Sequence, residues 1–550
     1  MSDVIGRVTS TKDQPSSANT FYFWVKDDVI VNLFDFVSVD NVANTRTVGI
    51  IKDLFFPTEA EGHLTNYISS DFGDINAMPP SNVVSSCIAK VDVLGNTGKA
   101  SKLTRSGKIC LWYPPKNFAE VRFASSSEID EVLGTSLINP GDEIPSGFII
   151  NSNDHIKPIY YDKKYLLGPE AGHLNISGIS GLATKTSYAM FLLWMIFQRQ
   201  ANDTCAILFN VKQRDLLYID EPATDLHHID YELYKSLNIT NVGPFNNVTY
   251  LFPAGLRDIN TVYGGSKPNV EFYSYQFLDV HDEISFLFSD VYDPQYTLAS
   301  ICEWLKYKNN LCINTKKFSI YIDKWSVLRY LPAEAYPSEA VGNANKLGVV
   351  GRFQRHLARV LDSNIFKDTK GANEVYLGEY IANRLTGGRI FVVDIQPFEK
   401  NETIQGFIIG DIVNRVLTKI RNTPAGQRPK NIIFFIDELN RYVPNRSGEP
   451  SALAQQIIEL ARVGRAEGIT LFGAEQFMSG INHQVYENCA NIVLGRSKST
   501  ELSKEAYSFL DKETKFYASK LQPGEMIIIN PLLSQPVKII FPKPPYRRQS

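Results

Sequence analysis

Residues 173–187 read HLNISGISGLATKTS. The opening run, residues 173–177, is short and apolar enough to be a buried strand. Gly178, Gly181 and the small Ala183 then supply a turn with little side-chain bulk. Lys185, Thr186 and Ser187 open a long apolar helix that continues through residues 188–197. A strand, a small-residue loop and a helix that begins Lys-Thr form a phosphate cradle. Backbone N–H groups of the loop and the helix N-terminus point at the anion. The lysine ammonium reaches the outer phosphates, and the hydroxyl after it holds Mg²⁺. The nucleotide contacts would then be Gly178, Ser180, Gly181, Leu182, Ala183, Thr184, Lys185, Thr186 and Ser187. The loop departs from the usual pattern: Lys185 stands one place late relative to Gly178, and Thr184 stands where the second glycine belongs. A strand-turn-helix with an incidental lysine reads the same way, so the rest of the chain has to decide.

At 550 residues the chain is too long for one compact core, and two to four domains are expected. Hydrophobic residues make up 44% and charged residues 21%, an ordinary globular balance that argues against disorder. The net charge of −3 means that nucleic acid would have to be met by a local basic patch. Cysteines at 87, 110, 205, 302, 312 and 489 have no zinc-knuckle spacing, and free thiols in a reducing cytosol are expected. The start, MSDVIGRVTS, carries no basic-then-apolar leader. The longest apolar run, residues 189–197, is about half the ~20 residues of a membrane span. A soluble cytoplasmic protein with no membrane contact is the expectation.

Residues 1–160 are read as many short β-branched and aromatic strands with polar turns, which predicts a small antiparallel barrel, with an exposed sandwich as the alternative. Residues 161–220 hold the phosphate loop and a second strand at 206–211, the start of a parallel α/β sheet. Residues 221–388 have helical spacing broken by Asn, Pro and Gly and read as a mostly helical insertion. Within it Arg352, Arg355, His356 and Arg359 recur at three- and four-residue steps, as either a solvated face or a basic stripe facing phosphates.

The sheet resumes with RIFVVDI at 389–395, a helix at 404–421 and then NIIFFI at 431–436, which ends in Asp437 and Glu438. A buried strand delivers these acids to its carboxyl end, where open α/β sheets bind ligands. Asp437 is expected to bind Mg²⁺ through its water shell, and Glu438 to polarise the attacking water. Acid pairs at strand ends also serve as helix caps; some 250 residues after a phosphate loop, the nucleotide reading is the stronger. A helix follows at 451–466, with Arg462 and Arg465 three apart. A strand at 469–474 then ends in Glu475 and Gln476. Gln476 is either a sensor of the γ-phosphate or a turn glutamine. Strands at 491–494, 525–529 and 537–541 close the chain before a proline-rich basic tail, PKPPYRRQS.

With these pieces in order, the sequence resembles the HerA-like hexameric DNA translocases, relatives of the FtsK-type motors. IGRVTS, FDFVSV and VGIIKDL resemble that family's N-terminal barrel. HLNISGISGLATKTS, IIFFIDELNRYVP, ARVGRAEGITLFGAEQF and CANIVLGRS carry the likeness onward. Asn210 departs from it, standing where an aspartate commonly ends the second strand. The resemblance implies an α/β fold: a RecA-like P-loop ATPase core at 161–220 and 389–541. It adds a small N-terminal barrel at 1–160, the helical insertion at 221–388 and a tail at 542–550. It implies ATP and Mg²⁺ as cofactors. Lys185 would sit on the β- and γ-phosphates, Thr186 and Asp437 on the metal, with Glu438 as base and Gln476 as sensor. Arg462 or Arg465 would reach a neighbour's site as an arginine finger. That demands a closed head-to-tail ring, and six subunits is the family expectation.

The function implied is an ATP-driven ring that threads or unwinds double-stranded DNA. Bacterial relatives with a GxxGxATKTS loop resemble the ATPase half of anti-phage defence pairs, whose separate effector, a nuclease or a SIR2-type NADase, docks on the barrel. The alternatives are a nucleotide-binding ring scaffold that mainly multimerises its effector, motivated by the altered loop, and an ATPase that acts on protein substrates.

Overall fold

The computed structural model describes residues 4–57, 67, 86–97, 112–179, 184–289, 291, 293, 295–341, 345–446 and 448–548. The chain forms two compact units. In the first, strands β1 (Gly6–Thr9), β2 (Thr20–Val25), β3 (Phe36–Asn41), β4 (Thr45–Phe55), β5 (Ile88–Asn96) and β6 (Glu120–Phe123) close a barrel in the order β1-β2-β5-β4-β3-β6. Neighbouring strands of that barrel pair antiparallel, and β1 meets β6 at Gly6 opposite Val121. Alternation does the sorting: in β2, Phe21, Phe23 and Val25 face inward while Tyr22 and Trp24 stand half-exposed. Two register shifts in β4 let the long strand curl around the core. The expected barrel is therefore present.

A capped helix, Ser126–Leu133, follows the barrel; Ser125 and Glu128 form a reciprocal capping box. Then β7 (Glu143–Ile150) pairs with β8 (Ile156–Asp162).

The second unit is built on a parallel sheet. Its strands are β9 (Leu174–Ser177), β10 (Thr204–Asn210), β11 (Val248–Pro253) and β12 (Val270–Tyr273). A separate hairpin, β13 (Cys312–Asn314) and β14 (Ser319–Tyr321), stands apart from that sheet. The sheet continues with β15 (Glu374–Val375), β16 (Ile390–Asp394), β17 (Asn431–Asp437), β18 (Ile469–Glu475) and β19 (Asn491–Leu494). The order is β15-β12-β11-β16-β10-β17-β18-β9-β19. Strands β9, β10 and β18 are buried along their whole length, and β17 along all but its last residue, because helices cover both faces of a parallel sheet. Numbered by chain order, β9, β10, β17, β18 and β19 lie as 5-1-4-3-2, with β18 inserted between the loop strand β9 and the acidic strand β17. This is a RecA-like core.

The stretch expected to be mostly helical, 221–388, carries helices such as Thr297–Lys306 and Lys346–Leu361, and it also contributes β11, β12 and β15 to the sheet. The expected basic stripe loses one member. On the helix Lys346–Leu361, His356 points into the core with Phe353, Leu357 and Val360. Its Nε2 lies 2.6 Å from the Leu287 carbonyl oxygen and its ring 4.7 Å from Phe288. Arg355 and Arg359 are exposed, and Arg352 is half-buried, 3.8 Å from Asp293.

Two later strands, β20 (Glu525–Ile529) and β21 (Val537–Ile540), group with the first unit instead of the core: they pair antiparallel, and β21 pairs with β7. The tail returns to the second unit, extended as expected. Tyr546 is buried and bridges to Pro222, and Arg547 and Arg548 pair with Glu221 and Asp225 at 2.7 and 2.5 Å. Among the described residues no helix is long and apolar enough to cross a membrane.

Candidate functional site

Register sets the site. Asp437 lies opposite Ala474, and Glu475 opposite Ser177, so the last residues of β17, β18 and β9 end on one edge of the sheet. Open α/β sheets bind ligands at this carboxyl edge. Gly178 leaves β9 in a tight space: a Cβ there would stand 3.1 Å from the Cα of Gly495. The helix Thr184–Gln200 starts at this edge, and the side chain of Lys185 in its first turn is buried. The Lys185 ammonium donates to the Gly178 carbonyl oxygen at 2.6 Å. Burial pulls its pKa down, while the charges of Asp437, Glu438 and Glu475 act to keep it protonated. Of the expected phosphate contacts, Ser180, Gly181, Leu182 and Ala183 lie outside the described residues, as does the side chain of Thr184. Ser187 is buried within the same helix.

Thr186 Oγ1 donates to Asp437 Oδ2 at 3.5 Å, 251 residues away in the chain. The other Asp437 oxygen accepts the Glu438 N–H at 2.9 Å. Burial raises the Asp437 pKa and the neighbouring Glu438 adds to it; Lys185 opposes them. Glu438 itself has a left-handed backbone, φ 55° and ψ 41°, which turns its side chain back over the strand end. Its Oε1 accepts from the Lys212 ammonium and, at 3.4 Å, from Gln476 Nε2. Its Oε2 lies 3.7 Å from Arg441 Nε. Burial pushes this carboxyl up, yet the hydrogen bond and charge of Lys212, with Gln476 and Arg441, outweigh burial and hold it below the ordinary carboxylate range.

Thus Lys185, Thr186, Asp437, Glu438 and Gln476 come together. The two arginines hydrogen-bond elsewhere: exposed Arg462 pairs with Glu459 at 2.6 Å, and Arg465 donates to the Glu170 carbonyl oxygen at 3.0 Å. The helix expected over 451–466 is split between them, with Ala452–Val463 α-helical and Gly464–Glu467 a 3₁₀ turn. Asn210 is a strut. Its amide donates to Asp394 Oδ1 at 2.8 Å, and Arg257 Nε holds the other oxygen at 2.6 Å.

Three neighbours carry no role in the sequence reading. Lys212 sits in the connection after β10, and only its position just past a strand end hinted at the site. Arg441 follows Glu438 by three residues. Glu475 is wholly buried at the end of β18, and burial drives its pKa well up. Its charge beside an apolar strand was the signal.

The donor set fits a hydrated magnesium ion, since Thr186 and Asp437 offer hard oxygens side by side. It also fits a phosphate chain, since a buried ammonium stands in the first turn of a helix at that edge, 2.6 Å from the Gly178 carbonyl oxygen.

No known family profile matches the chain, and no curated protein does. Among solved structures, VirB4 of Thermoanaerobacter pseudethanolicus is similar at 15% identity with a TM-score of 0.39, over 74% of this chain and 97% of that one. The bacterial conjugative coupling protein TrwB, lacking its first 70 residues, is similar at 12% identity with a TM-score of 0.42, over 69% and 86%. The genome packaging NTPase B204 from Sulfolobus turreted icosahedral virus 2, in complex with ATP-gammaS, is similar at 12% identity with a TM-score of 0.22, over 29% and 71%.

Proposed function

We propose that the chain is a magnesium-dependent ATPase that works as a ring motor on double-stranded DNA. The observation that carries the reading is the meeting of Lys185, Thr186, Asp437 and Glu438 at the carboxyl edge of a 5-1-4-3-2 sheet. In this reading Lys185 exchanges the Gly178 carbonyl for the β- and γ-phosphates of ATP. Thr186 and Asp437 hold the magnesium ion, which neutralises phosphate charge when bound. Glu438 accepts a hydrogen bond from the attacking water and fixes its direction. Gln476, already within 3.4 Å of Glu438, senses the terminal phosphate.

The resemblance to HerA-like translocases supports the finer reading: a hexamer in which Arg462 or Arg465 completes a neighbour's site. Its barrel would carry a nuclease or SIR2-type NADase in anti-phage defence. Exposed Arg355 and Arg359 are then candidates for phosphate contact. A scaffold ring with little turnover is the second reading, favoured by the late position of Lys185. DNA decides between them. A motor hydrolyses ATP faster when duplex DNA is added, and its DNA binding weakens steeply with salt. A scaffold turns over equally slowly with and without DNA.

A further inference from the structure

Lys212 is the strongest contact that Glu438 makes, and nothing in the assigned roles uses it. Its ammonium donates to Glu438 Oε1, the oxygen that Gln476 also reaches. Arg441 stands beside Oε2. A carboxylate has about four lone-pair positions, and here both oxygens face cations or an amide. Oε1 is thereby taken up, and the carboxylate is held towards the cations at this edge. The backbone of Glu438 adds a second sign. A left-handed conformation is unfavourable by about 1–2 kcal/mol for a residue with a Cβ, so its contacts must hold it there.

The other end of the contact is built to move. The Asn210 amide donates both to Asp394, at 2.8 Å, and to the carbonyl oxygen of Gln213, at 3.2 Å. The backbone is therefore pinned on either side of Lys212. The lysine side chain is 30% exposed, whereas that of Glu438 is 7% exposed. A pinned backbone with a four-carbon stem at the mouth of the site leaves side-chain rotation as the easy motion.

We propose that Lys212 is a positioning residue that trades Glu438 for the terminal phosphate of a bound nucleoside triphosphate. It thereby masks the base in the empty site and frees it only when a triphosphate is present. This rests on the reading of Glu438 as the base of an ATPase. An ammonium between a carboxylate and a polyanion moves to the greater charge; a diphosphate ends too early to draw it away. Lys212 thus couples occupancy by triphosphate, and not by diphosphate, to release of Glu438.

The test is calorimetric titration of the full chain with magnesium and either ADP or the non-hydrolysable analogue AMPPNP. The variants are Lys212→Ala, Lys212→Arg, Glu438→Gln and the double variant Lys212→Ala/Glu438→Gln. Lys212→Ala should lower the preference for AMPPNP over ADP by about tenfold, the scale of a hydrogen bond between charged groups, with ADP affinity unchanged. Lys212→Arg should keep most of the preference. Glu438→Gln should raise AMPPNP affinity about threefold or more by removing the competing charge, and should have no such effect once Lys212 is Ala. Thermal melting without nucleotide checks the fold; if Lys212→Ala is unfolded, Lys212→Gln takes its place. A preference unchanged in the lysine variant, or a Glu438→Gln effect of equal size in both backgrounds, overturns the switch. Failure of the folded wild type to bind either nucleotide overturns the ATPase reading itself, and the switch with it.

Discussion

His173 illustrates how much of this sheet depends on single buried polar groups. It has a left-handed backbone, and its Nδ1 accepts the Leu471 N–H at 2.9 Å, tying β18 to the chain just before β9. Burial, with Arg465 nearby, lowers its pKa from 6.5 to about 4. The unfolded chain therefore takes up the proton first, and stability falls as pH drops from above 6.5 towards 4. At 1.36 kcal/mol per unit the loss is on the order of 3 kcal/mol. Glu283 and Asp411 act in the opposite sense. Burial raises them from the ordinary 4.5 and 3.8 to about 7 and about 6, so the stability they lend at low pH is lost as pH rises from those ordinary values through the raised ones. The measurement is a comparison of variants. Urea unfolding of His173→Gln at pH 7 and pH 4.5 should show a smaller drop than the wild type, and parallel drops would refute the assignment. At this scale the sequence was informative where chemistry and position coincided. Lys185, Thr186, Asp437, Glu438 and Gln476 were all legible, because a strand end or helix start marks each. Lys212 was not, because which side chain crosses between strand ends depends on sheet order, which no single stretch states.

Elements were legible in proportion to how local their signal is. The barrel strands alternate, and the core strands are apolar runs bounded by turns, so both were readable. Strands β11, β12 and β15 were hidden because aromatic runs among helical spacing look alike in either state until the sheet edge selects them. The helix Lys346–Leu361 misled for a similar reason. His356 recurs in step with the arginines, yet it also recurs in step with Phe353 and Val360, and the apolar face claims it. Replacing His356 by Ala should cost about 2 kcal/mol or more from lost packing and an unpaired Leu287 carbonyl. Replacing Arg355 and Arg359 together should change stability by less than about 0.5 kcal/mol and, if the chain is the proposed DNA motor, flatten the salt dependence of its DNA binding. Denaturant melts and binding at several salt concentrations separate these effects. The tail has its own test. Tyr546 is 1% exposed, with its ring 6.0 Å from Phe245, so Tyr546→Ala should destabilise the second unit by about 3 kcal/mol.

At the scale of the whole molecule, catalysis in the proposed ring is shared between subunits. Arg462 is exposed and pairs with its helix neighbour Glu459, three residues earlier, a surface pairing weak enough to give way to an adjoining protomer. Mixing an Arg462→Ala, Arg465→Ala chain with wild type should depress turnover by more than dilution alone, since each altered subunit silences its neighbour. A strictly linear fall would place the finger elsewhere.

The most direct test of the central claim is magnesium-dependent ATP binding and turnover by the wild type, Lys185→Ala and Glu438→Ala chains. The wild type should bind and hydrolyse. Glu438→Ala should bind with turnover reduced by at least about a hundredfold, and Lys185→Ala should do neither. Equal binding and equal turnover by all three would contradict the account.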